Sequence, residues 1–201
     1  MLRAGAALVA LLCWSGIAIQ FSATYAQHDV AATLWILARF FTVLTNVLLA
    51  VTMTMIAIGR KISPFILGGI PLATLLVGAV YATLLQGLLE LSGGALAADI
   101  LLHKVSPVAM ALWWLFFAPK RALKWDAPVK WAAYPLAYFA YALARGHFDG
   151  RYPYPFIDVG KLGWVQTLIN AVAIAIAFVI AGLALVWIDS WRPLGLSRSN
   201  R

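Results

Sequence analysis

A chain of 201 residues that is 64% hydrophobic and only 11% charged cannot clothe a core in a charged shell, which excludes an ordinary soluble domain. The net charge of +8 does not point to nucleic acid either, because the Lys and Arg residues fall in short separate clusters instead of lining one face. Between the clusters run apolar stretches of about 20 residues, the length that crosses a hydrocarbon core of about 30 Å. They lack the short alternation of barrel strands, so helices are expected to satisfy the backbone.

Taken in chain order, the pattern predicts an all-α membrane bundle of about six spans in one domain. The first covers residues 4–24. The second, 33–58, ends at Gly59, Arg60 and Lys61. The third, 65–89, closes at Glu90 and the turn-forming Ser92-Gly93-Gly94, and the fourth, 96–117, stops before Pro119. A short aromatic fifth span, 128–145, carries Pro135. The sixth, 164–187, is the purest apolar segment. The connection 146–163 contains Arg151-Tyr152-Pro153-Tyr154-Pro155-Phe156 and is too rich in proline to continue a helix. It is expected to cap the bundle, either as an aromatic anchor at headgroup level or as a lid over a site, with Tyr152, Tyr154, Pro155 and Phe156 as its residues.

With the N-terminus inside, the inner side holds Arg3, Arg60, Lys61, Lys120, Arg121, Lys124, Lys130, Arg192, Arg198 and Arg201, against Arg145, Arg151 and Lys161 outside. Short cytoplasmic loops accumulate cations, so both termini are expected in the cytoplasm. A cleaved signal peptide is the alternative for the first span. Its length and the even span count favour a permanent helix. The basic loops face anionic lipid. Cys13 is the single cysteine, so no disulfide and no Cys/His zinc spacing is indicated, and no metal or cofactor is implied.

Ionisable residues inside spans are costly in lipid and turn toward the bundle interior. In the second span Arg39, Thr42 and Asn46 lie three and four apart, on one helix face. In the fourth, Asp99 and His103 are one turn apart, followed by Ser106 and Pro107. Pro107 has no N–H for the carbonyl of His103, so a kink or local opening is expected there. All fall in the outer half, where Thr42, His103, Asp99 and Arg39 are expected to share a pocket beneath the Tyr152–Phe156 loop. A hydroxyl beside an imidazole in a dry site suits attack on an ester carbonyl, with Asp99 orienting His103 and Arg39 or Asn46 meeting a carboxylate or oxyanion. Interhelical hydrogen bonding is the purely structural alternative for Thr42, Thr45 and Asn46.

These residues resemble the androgen-induced membrane hydrolases and their smaller bacterial relatives. Arg39-Phe40-Phe41-Thr42 looks like that family's basic-aromatic-Thr segment, His103 with its following proline like its fourth-span histidine, and Tyr154-Pro155-Phe156 like its Tyr-Pro-Phe loop. The continuation Thr45-Asn46 looks more like the bacterial branch. The resemblance implies a six-span threonine hydrolase of fatty acid esters of hydroxy fatty acids, with Thr42 as nucleophile and His103 as base. Its partners would be membrane lipids, with lipid esters as substrates. Two other readings stay open: a small transporter or channel with a polar path through Arg39, His103 and Asp99, and a scaffold using the small residues Gly68, Gly69 and Gly78 for helix contacts.

Overall fold

The computed structural model describes residues 1–191; Arg192, Arg198 and Arg201, three of the cations assigned to the inner side, lie outside the described residues. Among the described residues the chain is all-helical: α1 (Leu2–Tyr25), α2 (Val30–Leu37), α3 (Phe41–Ala57), α4 (Pro64–Val80), α5 (Gly93–Ile100), α6 (Ser106–Phe117), α7 (Ala127–Trp131), α8 (Ala133–Asp149) and α9 (Val159–Ser190). A π-helical turn, Tyr81–Leu85, extends α4, and a second, Leu101–Val105, joins α5 to α6. Four continuous helical segments are long and apolar enough to cross a membrane: Leu2–Tyr25, Pro64–Leu85, Gly93–Phe117 and Val159–Ser190. The bent pair α2 and α3 makes a fifth when taken as one span. At 17 residues, α8 falls short of the length that spans unaided, about 20 residues.

The outer surface has the composition expected of a helix facing lipid. Along α9, Val165, Val172, Ile176 and Ile180 are exposed at spacings of seven and four residues, an apolar stripe turned outward and compatible with a membrane protein. Inside, α1 packs along α3 and α5, and α4 along α6 and α3. Ala6, Val9, Ala10, Cys13 and Gly16 form the buried face of α1, so the first span belongs to the core together with Leu49, Met53, Met110, Trp113 and Trp114.

The largest departure from expectation is the second span. It is not one helix across 33–58: α2 and α3 meet at 96°, with Ala38, Arg39 and Phe40 between them. No glycine or proline causes this. The carbonyls that a continuous helix would engage are instead met from α8. Tyr141 Oη donates to Ala38 O at 3.1 Å and Tyr138 Oη to Arg39 O at 2.8 Å, while Arg145 donates to Trp35 O. Arg39 is drawn across to Asp149 at 2.5 Å, and the Arg145 guanidinium lies 3.9 Å from the centre of the Trp35 ring. Three side chains of one helix thus replace the hydrogen bonds that the elbow gives up, which is how irregular backbone persists in an apolar surrounding.

The other spans differ in their ends. The third loses its helix after Leu85, since Gln86 is extended and Gly87 has φ of 83°. The fifth divides into α7 and α8 and runs on through Gly146 to Asp149, where Gly150 closes it at φ of 68°. The connection after it is therefore shorter than 146–163. The fourth opens where expected, because Pro107 leaves the carbonyl of His103 without its donor and the backbone widens into the π turn just before it.

Gly68 and Gly69 are spent on an internal contact. A Cβ on Gly68 would lie 2.6 Å from the Trp131 ring, and one on Gly69 2.8 Å from it. Gly78 faces Pro107. The small-residue face of α4 that a scaffold would use is therefore occupied by α6 and α7. Trp131 cannot retreat without breaking its Nε1 bond to Phe65 O at 3.0 Å, so Gly68→Ala is expected to destabilise by about 1–3 kcal/mol. The check is a lower midpoint of thermal unfolding in detergent.

Candidate functional site

The elbow places the N-terminus of α3 inside the bundle, with Thr42 in its first turn. Elsewhere the threonines do what threonine does in apolar helices: Thr24, Thr54, Thr74, Thr83 and Thr167 each donate to the carbonyl four residues back, a bond that consumes the hydroxyl within its own helix. Thr42 has no regular turn behind it. Its Oγ1 instead meets His103 Nε2 at 3.1 Å. Thr45, one turn on, pairs with Tyr134 Oη at 3.0 Å, which sets it with the structural contacts of α8.

The π turn presents His103, and two oxygens fix its ring. Nδ1 lies 3.0 Å from Asp99 Oδ1 and 3.2 Å from Asp99 O. Since both are acceptors, Nδ1 carries the proton and Nε2 of the neutral ring keeps its lone pair toward Thr42. Asp99 is held in turn by Tyr81, whose hydroxyl donates to Oδ2 at 2.5 Å. The Tyr81 ring also stacks on His103, with centroids 4.4 Å apart. The order Tyr81, Asp99, His103, Thr42 is a continuous relay across three segments.

Asn46 holds these segments together. It is fully buried, and its amide donates to Thr42 O at 2.9 Å and Leu102 O at 3.1 Å, while Oδ1 accepts from Ser106 at 2.5 Å. Both amide donors and the acceptor are engaged, so Asn46 ties α3 to the π turn and offers nothing to an oxyanion. Arg39, expected as a carboxylate partner in the pocket, points to Asp149 beyond it. His103 and Asp99 line the cavity, and Arg39 does not.

The pocket is a cavity of about 590 Å³ whose polar wall comprises Gln20, Thr42, Tyr81, Asp99, His103 and Tyr154; leucines supply half of the rest. On the other side of Thr42 lies a narrower, almost wholly apolar slot of about 90 Å³ between α3, α4, α8 and α9, lined by Phe41, Leu76, Val77 and Phe178 among others. Thr42, Leu85 and Tyr154 border both.

The four loop residues divide. Tyr154 and Pro155 line the cavity, while Phe156 stacks on Tyr154 at 5.2 Å and borders the apolar slot. Tyr152 lies against Gly146, where a Cβ would come within 2.3 Å of its ring, and it packs outside the cavity. Tyr154 Oη accepts the Thr42 N–H at 3.5 Å. Burial pushes the Tyr154 phenol above the ordinary tyrosine range, which keeps it a neutral donor. The N–H groups of the first turn of α3 have no intrahelical acceptors. The Thr42 N–H is taken up by Tyr154 Oη, so the Tyr154 hydroxyl proton and the positive end of α3 are what suit charge developing on a carbonyl oxygen beside Thr42.

Sequence reasoning missed Tyr81, Gln20 and Asp149, and it gave Ser106 no part in holding Asn46. Tyr81 and Gln20 lie in different spans from Thr42 and at no spacing that singles them out. Asp149 lies 110 positions from Arg39, in a segment expected to be a connection. Comparison with family models, curated proteins and solved structures returns no match to this chain.

Proposed function

We propose that the protein is an intramembrane lipid ester hydrolase with Thr42 as nucleophile and His103 as general base. The observation that carries this reading is the 3.1 Å contact from Thr42 Oγ1 to His103 Nε2, made by a threonine freed from helical back-bonding and by an imidazole whose other nitrogen is held by Asp99. The basic-aromatic-Thr, His and Tyr-Pro-Phe segments that resemble the androgen-induced membrane hydrolases contribute Thr42, His103 and Tyr154 to this one cavity.

In the reaction, His103 Nε2 takes the proton of Thr42 Oγ1 as that oxygen adds to the ester carbonyl. The Tyr154 hydroxyl and the positive end of α3 stabilise the resulting oxyanion. Collapse expels the alcohol, which leaves with the proton from His103, and an acyl-Thr42 ester remains. Water then adds to that ester while His103 takes its proton, and collapse releases the carboxylic acid and restores the Thr42 hydroxyl. Asp99 stabilises the imidazolium formed in each half, and Tyr81 holds Asp99 in place.

The chain would cross the bilayer six times, with α2 and α3 together as the second crossing and α8 as a short fifth. Both termini would lie in the cytoplasm of a bacterial cell. The Arg3 guanidinium rests against Gly59, next to Arg60 and Lys61, and the Arg121 N–H is bonded to Asp189 O at the end of α9. The first contact draws two basic segments together, in keeping with the positive-inside rule.

Hydrolysis of a panel of lipid esters by purified protein tests the reading: turnover by the wild type that is lost in Thr42→Ala and His103→Ala supports it, and an inactive folded wild type overturns it. Tyr81→Phe keeps the ring stacked on His103 but removes the hydroxyl from Asp99. It is expected to lower kcat about tenfold with KM little changed, measured on whichever ester turns over fastest.

A further inference from the structure

Charge in the wall of the cavity narrows the substrate. Among the described residues that line it, the carboxylate is Asp99, and the other polar groups (Gln20, Thr42, Tyr81, His103, Tyr154) are neutral or shared with that carboxylate. The nearest guanidinium groups are committed elsewhere. Arg39 is held by Asp149 at 2.5 Å, and the same carboxylate lies 3.7 Å from Arg145 Nε. Lys104, the cation next to His103, is exposed and sits 5.5 Å over the Tyr81 ring, on the helix surface and outside the lining of the cavity. A carboxylate or phosphate entering beside Thr42 would shed its water with no ammonium or guanidinium to receive it, in a low-dielectric space that already holds Asp99.

We infer that the substrate is an acyl ester uncharged on the alcohol side, within a few bonds of the reacting carbonyl, as in a monoacylglycerol, and not a lipid carrying phosphate or a free carboxylate at that position. The inference rests on the hydrolase reading of the site. Gln20 suits such a substrate. Its Nε2 is occupied by Thr24 Oγ1 at 3.3 Å, which leaves its side-chain carbonyl to accept from an alcohol hydroxyl in the cavity.

The test pairs a monoacylglycerol with the monoacylglycerol phosphate of the same chain, and the acyl ester of a 2-hydroxy acid, whose carboxylate sits next to the ester, with its methyl ester. Purified full-length protein is assayed with each in neutral maltoside micelles at about pH 8, where both acids are ionised. The uncharged member of the glycerol pair is expected to show kcat/KM at least about tenfold higher, and the methyl ester to exceed the free acid in the same direction. Gln20→Lys, which adds a cation to the wall, is expected to narrow the glycerol-pair ratio. Equal or faster hydrolysis of the phosphate overturns the inference and leaves the hydrolase standing.

A binding arm separates the two ideas. Thermal unfolding of Thr42→Ala is followed with each member of the glycerol pair. If neither is hydrolysed by the wild type but the monoacylglycerol alone raises the unfolding temperature, the hydrolase reading fails while the preference of the cavity for an uncharged ligand holds. Stabilisation by the phosphate to the same degree, or by neither lipid, overturns the inference.

Discussion

Thr42→Ala is expected to lose at least about a thousandfold in kcat while its unfolding temperature stays within a few degrees of the wild type. The two halves of that result have separate origins. The hydroxyl is the only group that forms a bond to the substrate, so nothing replaces it. Its contribution to the fold is one hydrogen bond, to His103 at 3.1 Å, at the edge of a cavity, worth about 1 kcal/mol. Thr42→Ser restores an attacking oxygen and is expected to recover part of the rate. His103→Ala should match Thr42→Ala in rate, because residues that act as a unit do not lose activity additively, and the double variant should be no worse than either. A purely structural Thr42 predicts the reverse pattern, with stability lost and turnover retained.

Asp149→Ala is expected to give the largest loss of stability. Its carboxylate is 2.5 Å from Arg39 and 3.7 Å from Arg145, whose side chains are 11% and 4% exposed. Removing one partner of a buried ion pair costs about 3–5 kcal/mol, because the remaining charge is left uncompensated. Asp149 itself keeps 24% of its side chain exposed, which puts the loss at the lower end of that range. Unlike Thr42→Ala, this change also loosens the elbow between α2 and α3, so turnover should fall along with the unfolding temperature. Asp149→Ala made in an Arg39→Met background should cost less than in the wild type, and that difference measures the coupling.

Much of this arrangement was legible in the sequence, for reasons tied to particular residues. Charge clusters separated by apolar runs identify helices near their observed places because the bilayer sets their length. Pro107 announces the opening of the fourth span because the missing N–H is a local, covalent fact. Asp99 and His103, four apart on an apolar helix, have to face inward together. The break after Leu37 was not legible. Ala38, Arg39 and Phe40 carry no helix-breaking chemistry, and the bend exists because Tyr138, Tyr141 and Arg145, about a hundred positions later, accept responsibility for its carbonyls. A face drawn on a continuous helix through Arg39, Thr42 and Asn46 therefore misplaces Arg39, which turns to Asp149; Thr42 and Asn46 do share a buried face of α3, but the Asn46 amide is consumed by Thr42 O and Leu102 O. Tyr81 was equally hidden, since its position over His103 depends on a π turn that its own segment, Tyr-Ala-Thr-Leu-Leu, does not advertise.

The site depends on that hidden elbow. It frees the hydroxyl of Thr42 from helical back-bonding, brings the N-terminus of α3 into the cavity and leaves the Asp99-bound imidazole as the partner within reach. The most direct test is labelling of purified protein with a fluorophosphonate acylation probe, followed by peptide mapping of the adduct. A nucleophilic Thr42 predicts one adduct, on the peptide that contains it, absent from Thr42→Ala and from His103→Ala although both remain folded. A folded wild type that takes no label, or takes it on another residue, would contradict the assignment of Thr42 and His103 as the reacting pair.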